Sequence, residues 1–126
     1  MSFKVLVIDD NEDILFMLKA MLQLKGYKVF AKETAANIES YIEELAPDVI
    51  VMDMLLSGMD GSEVCKQLKA NSAISSIPVV MISALPTAKN ICLEAGADFF
   101  VGKPFEMRDM FDAISEALEK NELSSI

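Results

Sequence analysis

Short apolar runs alternate along this chain with stretches whose apolar residues recur at helical spacing. Residues 4–8, 49–52, 79–82 and 99–101 read as strands. Between and after them, Ile14, Leu15, Met17, Leu18, Met21 and Leu22 mark a first helix. Ile38, Tyr41, Ile42 and Leu45 mark a second, and Val64 and Leu68 a third. A fourth helix is predicted over residues 87–95, and Met107, Met110, Phe111, Ile114 and Leu118 form the stripe of a fifth. Residues 27–31 are a shorter, more polar strand, expected at a sheet edge. The punctuation agrees with these elements. Asn11 is placed to cap the first helix, with Glu12 and Asp13 in its first turn, and Gly26 stops it. Thr34 is placed to cap the second, Gly96 to close the fourth, and Pro104 to fill the first turn of the fifth. Residues 57–61 read as a loop.

Strand and helix alternate from end to end, which predicts an α/β domain with a parallel sheet. The runs at the first, third and fourth strands carry almost no polar residue, as expected of strands covered by helices on both faces. Open sheets of this kind bind ligands beyond the carboxyl ends of their strands. Four runs end there on residues with phosphate or metal chemistry: Asp9 and Asp10, Asp53, Ser83, and Lys103. Singly, each has an ordinary structural explanation. An Asp pair often opens a helix, a strand-end Ser often caps a turn, and a Lys often only neutralises nearby acids. Phe100 reads as core, and Gly61 and Gly96 as turn and helix-stop glycines. Together they differ. Two carboxylates ~4 Å apart repel by about 4 kcal/mol at an effective dielectric of 20. Three need compensation from protons, a cation or Lys103, and a hard divalent ion such as Mg²⁺ suits oxygen ligands beside a phosphate. One carboxylate then remains as a nucleophile.

Composition narrows the classes. The length, 126 residues, fits one domain. A net charge of −9 opposes nucleic-acid binding over most of the surface. No run approaches the ~18 apolar residues of a membrane span, and the first residues show no cleavage signature, so a cytoplasmic location is expected. Cys65 and Cys92 fall inside helices and are expected to be free thiols. With no histidine, the chain has no His-dependent triad, His metal site or phosphohistidine of its own.

Val7-Ile8-Asp9-Asp10, residues 49–53 with Gly58-Met59-Asp60-Gly61, Ile82-Ser83-Ala84 and residues 96–105 occur in an order and spacing that resemble the receiver domain of two-component response regulators. The resemblance covers essentially the whole chain. It implies a doubly wound, flavodoxin-like sheet of five parallel strands in the order 2-1-3-4-5, flanked by five helices. The receiver would fill residues 1–120, with 121–126 as a short polar tail. It implies that Asp53 accepts the phosphoryl group. Asp10, Asp53 and the backbone carbonyl of Leu55 would bind Mg²⁺, with Asp9 helping through water. Lys103 would pair with the acyl phosphate, Ser83 would swing towards it, and Phe100 would turn inward behind it. The donor would be a sensor histidine kinase, a phosphotransfer protein or a small phosphodonor. Downstream targets would meet the face of the fourth helix, fifth strand and fifth helix, where activation-dependent pairing of two copies is also open. The domain is expected to catalyse only its own phosphoryl transfer and dephosphorylation.

Ser57 stands where the family commonly has proline, and Leu55 and Leu85 stand where many relatives are polar. The leucines are expected to hinder attacking water and lengthen the phosphorylated lifetime. Two alternatives remain at this level. One keeps the fold as a phosphorylation-independent interaction module. The other, a nucleotide- or flavin-binding enzyme, is opposed by Asp9-Asp10-Asn11, where such folds need glycines. The short end favours a stand-alone protein, with a fragment of a longer regulator as the other possibility.

Overall fold

The computed structural model describes residues 2–124, and side chains within residues 2–120. Five strands form one parallel sheet: β1 (Lys4–Ile8), β2 (Lys28–Lys32), β3 (Val49–Asp53), β4 (Val79–Ser83) and β5 (Phe99–Gly102). Their order is β2-β1-β3-β4-β5, so β2 and β5 are the edges. The helices are α1 (Glu12–Leu24), α2 (Ile38–Leu45), α3 (Gly61–Ala70), α4 (Ala88–Glu94) and α5 (Met107–Ser124). This is the parallel α/β sheet that the alternating pattern predicts, in the doubly wound order that the resemblance implies.

Strand periodicity explains the layers. Val5 and Val7 point to one face, where they join Leu15, Leu18 and Leu22 of α1 and Met110 and Ile114 of α5. Leu6 and Ile8 point to the other, with Ile42 of α2, Val64, Cys65 and Leu68 of α3, and Ala88 and Cys92 of α4. Every residue of β3 and β4 is buried. Each large side chain buried this way stabilises the fold by about 1.5–3 kcal/mol. Because β3 is central, its last residue lies between the ends of β1 and β4. The edge strand β2 is the more polar one, as its sequence indicates. Cys65 and Cys92 are free and buried, and burial pushes both thiols up to about 11.

Local chemistry moves several boundaries. Asn11 caps α1 as expected, its Oδ1 accepting from Ile14 N at 3.1 Å. Thr34 does not cap α2. Its Oγ1 accepts from Ala36 N at 3.4 Å in a turn that tucks Ala35 into the core, and α2 starts only after Asn37 at φ 54°. Pro104 is not in the first turn of α5. The Lys103–Pro104 peptide is cis, a geometry that belongs to turns, and the helix begins at Met107. Glu106 and Asp109 open that helix reciprocally: Asp109 N donates to Glu106 O at 2.9 Å, and Glu106 N donates to Asp109 Oδ2 at 3.2 Å. The expected loop at 57–61 contains half of a small hairpin, with Leu55–Leu56 paired antiparallel to Met59–Asp60. The backbone of α5 runs on through Ser124, four residues into the segment expected as a tail, and residues 125–126 lie outside the described residues.

Candidate functional site

Register brings the chemistry-bearing residues to one edge of the sheet. Ile8 pairs with Met52, so Asp9 stands level with Asp53. Asp53 pairs with Ile82, and Ser83 pairs with Gly102, which sets Ser83 and Lys103 on the far side of Asp53. The backbone closes this edge: Met54 N donates to Ile82 O at 2.9 Å, and Lys103 N to Ser83 O at 2.8 Å.

Asp9, Asp53 and Ser83 are buried, with Asp9 fully so. Lys103 Nζ lies between the two acids. It pairs with Asp53 Oδ2 and reaches Asp9 Oδ2 at 3.3 Å. One ammonium therefore serves two buried carboxylates. Burial pushes the Asp9 carboxyl above its ordinary range. The Asn11 N–H pulls the other way, the Asp53 charge adds to the rise, and the Lys103 charge offsets it. Burial would lower Lys103, but the hydrogen bond and charge of Asp53, with Asp9 behind, outweigh it and hold Lys103 above its ordinary value.

Each strand end also fixes its own side chain through the N–H two residues on. Asn11 N donates to Asp9 Oδ1 at 2.9 Å, Leu55 N to Asp53 Oδ1 at 2.8 Å, and Leu85 N to Ser83 Oγ at 3.1 Å. Asp and Ser favour such turns. The Asp or Ser at the end of each apolar run is visible in the sequence, whereas the N–H two residues on that holds it is not.

Asp10 departs from this group. It is exposed, and its Oδ2 accepts from Ser57 Oγ at 2.7 Å. Among the described residues, no three acidic or thiol side chains are already gathered in a metal-holding group. The donors at this edge are nonetheless all oxygens, and Asp9, Asp10 and Asp53 outnumber their one cation. Such a set fits Mg²⁺, which binds through one or two carboxylates and retains waters.

Leu55 and Leu85, two residues after Asp53 and Ser83 in the chain, are 55% and 41% exposed. Phe100 is half-buried and packs against the core beneath α4. Gly61 is more than a turn glycine. Its N donates to Met54 O at 2.6 Å, and a methyl group there would collide with Asp53 O and sit 2.9 Å from Met54 O.

Residues 5–115 match the family model of the response regulator receiver domain. The chain belongs to that family. It is a receiver of two-component signalling, and its relatives and structural neighbours agree. It is 34% identical over 127 residues to the alkaline phosphatase synthesis transcriptional regulatory protein PhoP of Bacillus subtilis, covering 99% of this chain and 52% of that protein. It is 32% identical to the DNA-binding response regulator MtrA of Mycolicibacterium smegmatis, covering 97% of this chain and 53% of MtrA. This receiver thus spans about half the length of the curated relatives it matches. A putative response regulator from Chloroflexus aurantiacus superposes with a TM-score of 0.89 at 27% identity, over 94% of this chain and 99% of that one. No helix among the described residues is long and apolar enough to cross a membrane.

Proposed function

We propose that this receiver takes a phosphoryl group onto Asp53 from a phosphohistidine of a sensor kinase or phosphotransfer protein, and in consequence changes a protein-binding surface. The observation that carries this is the split environment of the Asp53 carboxylate. Oδ1 is held by a backbone N–H that cannot leave, whereas Oδ2 faces the movable ammonium of Lys103. Oδ2 is therefore the attacking atom. As its O–P bond forms, the N–P bond of the donor breaks and the imidazole departs. Lys103 follows the negative charge from Oδ2 to a phosphoryl oxygen, with little reorganisation of the surrounding backbone.

Asp9, Asp10, Asp53 and the Leu55 carbonyl are the residues that would hold Mg²⁺. When bound, the ion supplies positive charge that offsets the carboxylates and the incoming phosphoryl oxygens. Ser83 accepts from Leu85 N, and its hydroxyl hydrogen has no acceptor among the described bonds, so it is left for a phosphoryl oxygen. Lys103 N and Ser83 O are bonded, and β5 carries Phe100 two residues before Gly102. A shift of Ser83 is thereby coupled to β5, and through Phe100 to the α4–β5–α5 face, where a downstream protein or a second copy docks. In this reading the domain works in the cytoplasm, and its only catalysis is its own phosphorylation and dephosphorylation. Electrophoresis on a phosphate-binding gel, after incubation with Mg²⁺ and a small acyl phosphate, tests it. A retarded band lost in Asp53→Asn and with a chelator supports the reading, and a retarded band that survives Asp53→Asn refutes it.

A further inference from the structure

We infer that Ser57 is a positioning residue for the divalent cation, acting through Asp10. The inference rests on the proposed reading of the site and adds a residue to it. Ser57 occupies the turn of the Leu55–Leu56/Met59–Asp60 hairpin, followed by Gly58 at φ 74°. This hairpin is tied down at both ends. Leu55 N donates to Asp53 Oδ1 at 2.8 Å, and Asp60 Oδ1 accepts from Ser62 N at 2.8 Å to start α3. At its base, Gly61 N donates to Met54 O at 2.6 Å. A turn held this firmly presents the Ser57 hydroxyl at a set place, and its Oγ donates to Asp10 Oδ2 at 2.7 Å. Two loops 47 residues apart in sequence are joined by that bond.

The chemistry of the bond decides its role. A hydroxyl donating to a carboxylate is a charge-assisted hydrogen bond. It occupies one oxygen of Asp10, and Oδ1 has no partner among the described bonds. Asp10 has no other described anchor, in contrast to Asp9 and Asp53, each of which is fixed by a backbone N–H and Lys103. Ser57 therefore supplies to Asp10 what backbone and Lys103 supply to its neighbours. It restricts an exposed carboxylate from the turn of the hairpin whose first residue is Leu55. Groups that orient a ligating carboxylate typically contribute about 10–100-fold in metal affinity. This bond faces water, so the expected contribution is smaller, about fivefold.

Calorimetric titration of MgCl₂ into the wild type, Ser57→Ala and Ser57→Thr tests the inference, with Asp10→Asn as the reference for a lost ligand. The Ala variant is expected to bind Mg²⁺ about fivefold more weakly, and Thr, which retains the hydroxyl, within about twofold of wild type. Unfolding midpoints in chelator should coincide for all three. A Ser57→Ala protein that binds Mg²⁺ as tightly as wild type, or more tightly, overturns the inference, because the hydroxyl is then idle or competes with the ion. Equal weakening in Ala and Thr overturns it too, since the hydroxyl is not the cause. A wild type that takes up no Mg²⁺ is a separate result: it refutes the metal reading itself, and this inference with it.

Discussion

At the scale of single residues, the site is an imbalance of charge held in place by backbone. Asp9 and Asp53 are buried together with one ammonium between them. The raised Asp9 carboxyl means that the folded chain holds this proton more tightly than the unfolded one. Its contribution to stability is thus largest below the ordinary value of 3.8 and is lost as pH rises through the raised value. Without divalent cations, the urea midpoint should rise as pH falls through the raised value towards 3.8. Asp9→Asn should flatten that limb, and saturating Mg²⁺ should suppress it by favouring the ionised form. A flat wild-type profile over this range would contradict the argument. Leu55 and Leu85 bear on the opposite side of the proposed cycle. Both are substantially exposed, and their N–H groups hold Asp53 and Ser83, so they flank the proposed acceptor site. Apolar groups there disfavour an ordered attacking water. Leu55→Asn or Leu85→Asn should speed loss of the phosphoryl group about threefold, a change of ~0.65 kcal/mol in barrier. Following radiolabelled or fluorogenic phosphate release checks this, and unchanged rates would exclude a role for the leucines.

At the scale of elements, the strand-to-helix turns carry the precision. Gly61 opens α3 with its backbone against the Asp53–Met54 peptide, where a side chain has no room. Gly61→Ala should destabilise the domain by about 2 kcal/mol, as overpacking does, and slow phosphorylation by displacing the Asp53 carbonyl. A urea midpoint equal to wild type would show that the loop yields freely. Asp98 is the counterpart at the other end of the sheet. It accepts from Val79 N at 2.8 Å, Lys69 Nζ at 2.9 Å and Lys120 Nζ at 2.7 Å, so it ties α3, β4 and α5 together. Burial raises its carboxyl, but hydrogen bonds from Lys120 and Lys69 outweigh burial and leave it below its ordinary range. The stability it supplies is present above the ordinary value and is lost as pH falls through the lowered one. Asp98→Asn should therefore cost about 2 kcal/mol at neutral pH, and the loss should shrink in strong acid. Element boundaries were the least legible part of the sequence, for reasons visible here. Thr34 serves a turn that buries Ala35 and does not reach a helix end. Pro104 follows a cis peptide, and nothing in its neighbours announces that. The two-residue strands around Ser57 are too short to carry a periodic signal.

At the scale of the whole molecule, the layered fold and the set of strand-end residues were readable because they rest on the same pattern. Runs that are apolar on both faces, as in β3 and β4, have one physical solution, a parallel sheet between helices. Such a sheet puts Asp9, Asp53, Ser83 and Lys103 at one edge whatever the details of the loops. What the pattern did not disclose is how the set is held. The bonds from Asn11, Leu55 and Leu85 come from backbone N–H groups, and the bond from Ser57 to Asp10 spans two loops. Those depend on geometry, not on residue type alone. The Asp53 carboxylate stands at the end of the central strand, and the proposed function couples it through β4 and β5 to an outer face. That coupling has meaning only if Asp53 itself is modified. The most direct test is to treat the protein with Mg²⁺ and a small acyl phosphate, reduce the product with borohydride, and map the converted residue by peptide mass spectrometry. The account predicts homoserine at position 53 and nowhere else. Conversion at Asp9, Asp10 or any other acid, with Asp53 intact, would contradict it.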